Sequence, residues 1–215
     1  MDTELILRVS PFFIEAAWMT IKLSILTAIL GLTCGALGAA ARLSRLAVLR
    51  WIAAIYVSVF RGTPALIQIF ILYFGGPQIG IQLDSFSAGT IALGVNIGAY
   101  MTETIRGAIL SVDKGQTEAA RTLGMSRWET MRKVVLPQAA RMMIRPLGVN
   151  ISAMIKGTAL IAPISVVELT YTAQRFIGST YKPFEMFLLS GILYMIIIYV
   201  VGQGISLLDR RARIT

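Results

Sequence analysis

The sequence predicts an all-α integral membrane protein of about five transmembrane helices, with a polar loop between spans 3 and 4. Three observations carry this. Of 215 residues, 56% are hydrophobic and only 14% charged, with a mean hydropathy of +0.73, against about 25% charged in a water-soluble domain. Uncharged runs at 23–41, 85–102 and 186–208 hold 19, 18 and 23 residues, near the ~20 that a helix needs to cross the hydrocarbon core. The basic residues, finally, cluster on one side of the spans so drawn. At this length the chain reads as a single domain, 1–215, with a core at about 20–209.

Taken in order, the N-terminus does not read as a cleavable signal. Asp2 and Glu4 stand where a signal is basic, and no small-residue cleavage site follows a short apolar run. Span 1 covers 12–41. Its Gly31, Gly35 and Gly38, with Ala28, Ala36 and Ala39, permit close helix approach, either within the chain or to a second subunit. Cys34, the single cysteine, reads as a packing residue there. Span 2, 51–75, is interrupted by Arg61. Thr63 and Pro64 form an N-cap and first-turn pair, which predicts a break and a restarted half-helix. Span 3 is 86–108, span 4 is 138–157 and span 5 is 184–208.

Five spans place the termini on opposite sides. Arg42, Arg45 and Arg50 follow span 1. Lys114, Arg121, Arg127, Arg132, Lys133, Arg141 and Arg145 surround the loop after span 3, and Arg210, Arg211 and Arg213 form the tail; these are thirteen of the 20 basic residues. The positive-inside rule assigns them to the cytoplasm. The N-terminus is then outside and the C-terminus inside, and the net charge of +9 requires no nucleic acid.

The loop at 113–137 carries the most information. Asp113 with Gln116 suits a helix start, and Gly124 suits the left-handed residue that ends that helix. Ser126 and Glu129 form a capping box that starts a second helix, which Pro137 is expected to end or kink. The predicted product is a helix–turn–helix in which Ala119 and Ala120 present a smooth face and Glu118 and Arg121, three apart, form its rim.

Ionisable groups inside the membrane are costly and mark candidate sites. Arg61, with the positive end of the half-helix behind it, suits a carboxylate; alternatively it pairs with Glu103 or with backbone carbonyls. Glu103 suits an amino group, or forms an ion pair with Arg106. Asn96 and Tyr100 lie on the Glu103 face of span 3. With no histidine, no paired intramembrane carboxylates and no Walker-type loop, an intramembrane enzyme, a zinc site and ATP hydrolysis by this chain are disfavoured.

Glu118-Ala119-Ala120, three residues, Gly124, nine residues, then Val134-Val135-Leu136-Pro137 resembles the "EAA" loop of ABC-importer permeases, Val134 replacing the usual Ile. Phe60-Arg61-Gly62-Thr63-Pro64 with Gln68, Ala99-Tyr100 with Glu103 and Arg106-Gly107-Ala108-Ile109, and Pro163 through Glu168-Leu169 resemble the polar amino-acid branch. One departure is Lys156-Gly157-Thr158-Ala159-Leu160, where that branch usually carries an acidic residue at the position of Gly157. The resemblance implies the channel subunit of a type I importer in a bacterial inner membrane, taking up an amino acid of unspecified identity. It further implies an ATPase dimer docked on Glu118, Ala119, Ala120, Arg121 and Gly124, the coupling helix of the cytoplasmic loop. A second permease, identical or homologous, and an extracytoplasmic amino-acid-binding protein complete the assembly. No cofactor is expected in this chain; ATP and Mg would bind the partner ATPase. Candidate pathway residues are Arg61, Thr63, Gln68, Asn96, Tyr100, Glu103, Lys156 and Thr158. The competing reading is an ion-gradient-driven secondary transporter of small solutes, which leaves the 118–137 loop without purpose.

Overall fold

The computed structural model of the chain describes residues 3–214, so Asp2 lies outside the described residues, which contain helices and no strands. The order is α1 (Thr3–Arg42), α2 (Ala47–Gly62), α3 (Ala65–Phe70), α4 (Ser85–Leu110), α5 (Lys114–Thr122), α6 (Arg127–Thr130), α7 (Leu136–Gly157), α8 (Leu169–Thr180) and α9 (Pro183–Ile214). A π-turn and a 3-10 turn extend α3 to Ile79, a π-turn at Met131–Val135 joins α6 to α7, and a 3-10 turn extends α7 to Ile164.

Helix α4 is the centre. It runs along α1 and also touches α2, α3 and α7, while α9 closes the bundle against α7 and α8. Lipid tails are as apolar as leucine, so such helices are held by close fit rather than by water expulsion. The α1–α4 seam shows how the sequence provides that fit. A Cβ on Gly31, Gly35 or Gly38 would strike Ile97, Met101 or Thr102 of α4 respectively, and one on Gly94 or Gly98 would strike Leu30 or Cys34 of α1. The glycine stripe of span 1 is therefore an intrachain seam, which settles the first of its two readings. Cys34 is part of the same packing. Three apolar clusters then stack through the bundle, built around Phe13, Leu169 and Met186, around Leu23, Ile69 and Ile161, and around Ile97, Met101 and Ile155.

Several sequence boundaries change. Helix α1 starts at Thr3 and passes through Pro11 without ending. Three helical stretches are long and apolar enough to cross a membrane, Glu4–Arg42, Arg127–Ile164 and Pro183–Ala212. The pair Ala47–Gly62 and Ala65–Ile79, bent by 106°, makes a fourth if taken as one broken span. Helix α4, expected as a span, has the length at 26 residues but is rich in Gly, Ala, Ser and Thr. That composition belongs to a helix surrounded by protein, where small residues let neighbours approach.

The predicted break in span 2 is present, with a different cap. Pro64 is the N-cap of α3, while Thr63 is the extended residue that ends α2. Pro137 does not end its helix, which continues through it. The Met131–Val135 π-turn precedes it, and the Leu136 N–H reaches back five residues to the Met131 carbonyl. The widened turn makes room for a ring that would clash in a regular α-helix.

Candidate functional site

The 113–137 loop is a corner built from two end motifs set back to back. Asp113 opens α5 by accepting from the Gly115 N–H at 2.7 Å; the bond goes to Gly115, not to Gln116. At the other end Gly124 N–H donates to the Arg121 carbonyl at 2.9 Å and Met125 N–H to the Ala120 carbonyl at 3.1 Å. This pair of bonds is a Schellman motif, and it requires the left-handed residue that Gly124 supplies at φ 78°. Ser126 follows at once with the expected capping box. Its hydroxyl accepts from the Glu129 N–H at 3.3 Å, and the Glu129 carboxylate accepts from the Ser126 N–H at 3.1 Å. Lys133 holds the other Glu129 oxygen at 3.1 Å.

What this corner displays differs in one respect from expectation. Ala119 faces out, but Ala120 is only 4% exposed and packs inward. Glu118 and Arg121 are both exposed. The apolar surface comes instead from Leu123, 80% exposed, and Trp128, 69% exposed, on either side of Gly124. Neither Leu123 nor Trp128 stood out in the sequence, because a lone apolar residue in a polar loop carries no periodic signal.

The candidate polar residues of the membrane region fall into three sets. At the α2–α3 break, Gln68 Nε2 donates to the Thr63 hydroxyl at 2.7 Å and to the Phe60 and Thr63 carbonyls at 3.1 Å. Asn96 Nδ2, from α4, donates to the Phe60 carbonyl at 2.9 Å and to Gln68 Oε1 at 3.0 Å. A helix that stops leaves carbonyls without partners, and in hydrocarbon those carbonyls must be satisfied by protein. Thr63, Gln68 and Asn96 do this for α2. Their polar atoms turn toward one another, and a cavity of about 430 Å³ beside them is walled mainly by Ile67, Ile71, Ile91 and Val95.

The second set is ionic. Glu103 is held by Arg106 at 2.6 Å and approached by Arg42 at 3.4 Å. Of the two readings of Glu103, the geometry shows the ion pair. Arg61 does not join it: its guanidinium lies over the Tyr100 ring, 5.1 Å from the centroid, a cation–π contact, and the side chain remains exposed.

The third set lies where α7 ends. Thr158 is buried; its hydroxyl donates to the Ile155 carbonyl at 2.7 Å and is 3.2 Å from the Tyr194 hydroxyl. Tyr194 donates to Glu168 Oε2 at 2.6 Å, and Glu168 Oε1 accepts from the Tyr171 N–H at 2.7 Å, capping α8. Lys156 is exposed and lines a cavity of about 600 Å³ with Tyr194 and Tyr199. Glu168, fully buried, was passed over as a site residue. Its signal was available: it is the one carboxylate between Gly157 and Pro183.

A family described as "Binding-protein-dependent transport system inner membrane component" matches residues 12–214. The chain belongs to this family. Among its relatives, the probable amino-acid ABC transporter permease protein YckA of Bacillus subtilis (strain 168) is 37% identical over 98% of this chain and 93% of its own length. The glutamine transport system permease protein GlnP of Escherichia coli (strain K12) is 38% identical over 95% of this chain and 94% of its own. A solved structure titled as an amino acid ABC transporter with histidines superposes with a TM-score of 0.92 at 34% identity, covering 98% of this chain and 99% of that one. A family member with this all-helical fold is a permease subunit of an importer, and the secondary-transporter alternative finds no support.

Proposed function

We propose that this chain, over 1–215 with a transport core at about 20–209, is one half of the membrane channel of an ATP-driven amino-acid importer. The relatives named above, an amino-acid permease and a glutamine permease, support the substrate class. In this reading the N-terminus is outside and the C-terminus cytoplasmic, as the basic residues suggest. The chain carries no cofactor and catalyses nothing. ATP and Mg bind an ATPase dimer, a second permease completes the channel, and an extracytoplasmic binding protein delivers substrate.

The observation that carries the proposal is the loop corner at 118–129. Glu118, Ala119, Arg121 and Gly124 line an exposed ledge, Ala120 anchors it from beneath, and Leu123 and Trp128 offer apolar area to a partner's groove. Movement of the docked ATPase then reaches α4 and α7, between which the loop is strung. Arg61, exposed and stacked on Tyr100, is the group best placed to meet a carboxylate along the path. Lys156 offers a second cation beside the cavity near Tyr194. Thr63, Gln68, Asn96 and Thr158 support the path by holding its broken helices.

The test is an affinity pull-down from native membranes in mild detergent, followed by uptake in vesicles. A stoichiometric ATPase should accompany the wild type and be lost from Gly124→Val, and uptake should require ATP. A chain that purifies alone and transports on an ion gradient would overturn the proposal. Arg61→Gln should raise KM for uptake with the ATPase still bound; an unchanged KM would remove Arg61 from the path.

A further inference from the structure

Helix α4 leads directly into the 113–137 loop, and polar groups fasten its neighbours to it. Tyr56 of α2 donates to the Val95 carbonyl at 2.7 Å, and Asn96 donates back to the Phe60 carbonyl at 2.9 Å. Asn150 of α7 donates to the Thr104 hydroxyl at 2.8 Å. The α1–α4 seam differs, because its glycines bring the helices close without forming a directional bond. Among the described residues, the ion pair recorded across that seam joins Arg42 Nε to Glu103 Oε1 at 3.4 Å. Arg42 is the last residue of α1, one turn beyond Gly38, which makes the last glycine contact, to Thr102. The end of α4 at Leu110 lies two turns beyond Glu103, about 10 Å at 1.5 Å per residue. The pair therefore closes the seam at the end nearest the loop.

The grip on Glu103 is unequal. Arg106, on the same helix, reaches Oε2 with Nη2 at 2.6 Å, and its Nε lies 3.2 Å from Oε1 and 3.1 Å from Oε2. Arg42 Nε is closed off from solvent and makes no hydrogen bond. A buried N–H without an acceptor is costly, and here the carboxylate stands just beyond the ordinary N–H···O range of about 2.7–3.2 Å. A slight approach of α1 to α4 converts the contact into a charge-assisted hydrogen bond. Glu103 thus holds two cations, one that moves with its own helix and one that belongs to its neighbour. We infer that Glu103 and Arg42 are positioning residues for transport: their ion pair keeps the end of α1 on α4 when a docked ATPase moves the loop. This rests on the importer reading above. Without the pair, α4 moves and the end of α1 stays behind. Glu103, a candidate for the path, is then committed to joining two helices and not to substrate.

The experiment places spin labels on Leu37→Cys of α1 and Leu110→Cys of α4, both exposed positions, in a Cys34→Ala background. Double electron–electron resonance then reads the α1–α4 distance in the assembled transporter, with ADP and with ATP plus vanadate. In this parent chain the distance should be the same in both nucleotide states. Glu103→Gln and Arg42→Gln should each shift it between states by about 2 Å, the scale of a helix shift. Arg42→Lys, which keeps the charge, and Arg106→Gln, which leaves Glu103 to Arg42, should both behave as the parent does. Should Glu103→Gln fail to assemble, Arg42→Gln, at a helix end, carries the test. A distance that holds in every variant overturns the inference with the importer reading intact. So does a shift in Arg106→Gln equal to that in Glu103→Gln, or a parent distance that changes with nucleotide. A chain that binds no ATPase overturns the importer reading and this inference with it.

Discussion

Replacing Gly98 by alanine tests the α1–α4 seam with a single methyl group. The added Cβ would lie 2.6 Å from Cys34 Cβ, 2.8 Å from the Tyr56 hydroxyl and 3.2 Å from the Gly31 carbonyl oxygen. Carbon atoms rest roughly 3.5–4.0 Å apart, so α1 must retreat by about an ångström or the turn of α4 must deform. Overpacking of this kind costs about 1–3 kcal/mol. The Tyr56 hydroxyl, which donates to the Val95 carbonyl at 2.7 Å, would be pushed aside as well, adding about 1 kcal/mol. The total, about 2–4 kcal/mol, corresponds to a fall of roughly 5–15 °C in melting midpoint for a chain of this size. The assay is thermal unfolding in detergent read by size exclusion, with Gly204→Ala as the control because nothing lies within 4 Å of its Cβ. Cys34→Gly in the Gly98→Ala background should recover part of the loss, and the double-mutant cycle gives the coupling. Equal midpoints for Gly98→Ala and Gly204→Ala would refute the claim that this seam is in contact.

Three further outcomes follow from the polar groups. Asn96→Leu removes two hydrogen bonds at the α2–α3 break and should cost about 1–2 kcal/mol in the same assay; a raised midpoint would show that the network does not stabilise the break. Tyr194→Phe strips a donor from buried Glu168 and should cost about 1–3 kcal/mol, less when Glu168→Gln is already present; strict additivity would place the two side chains apart. Asp84 caps α4, and the Ser87 side chain and N–H hold its carboxyl below the ordinary aspartate range. Its contribution is therefore complete above roughly pH 3.9 and is lost as pH falls below that value. Asp84→Asn should flatten this acid limb of the melting curve, and an unchanged limb would assign it to other groups.

Much of this was legible because it depends on local chemistry. Gly124 followed by Ser126 and Glu129 specifies a left-handed stop and a capped restart whatever surrounds them, and both motifs stand as read. The break after Arg61 was legible for the same reason, since Pro64 cannot continue α2. What escaped was decided by partners distant in sequence. Thr63 looked like a cap, but its hydroxyl donates to the Val59 carbonyl of α2 and accepts from Gln68 instead. The glycines of α1 fitted two surfaces, with intrachain packing favoured, until Ile97, Met101 and Thr102 of α4 showed which one they meet. The burial of Ala120 and the exposure of Ala119 could not be separated, because both are alanine and only packing beneath the loop tells them apart. Glu168 was the costliest omission: a single acid in an apolar stretch announces itself, but its capping bond to Tyr171 and its contact with Tyr194 emerge only in three dimensions.

The continuity from α6 through the π-turn into α7 has a mechanical consequence. Arg127–Ile164 is one helical stretch of 38 residues, about 55 Å of rod at 1.5 Å per residue. One end carries Trp128 on the loop ledge, and the other reaches the turn beside Glu168 and Tyr194. A rod of that length swung by about 5° displaces its far end by roughly 5 Å, close to one helical turn. The gearing between the two faces of the membrane is thus set by a length of backbone, and the Met131–Val135 π-turn and Pro146 are places along it where stiffness can be lost.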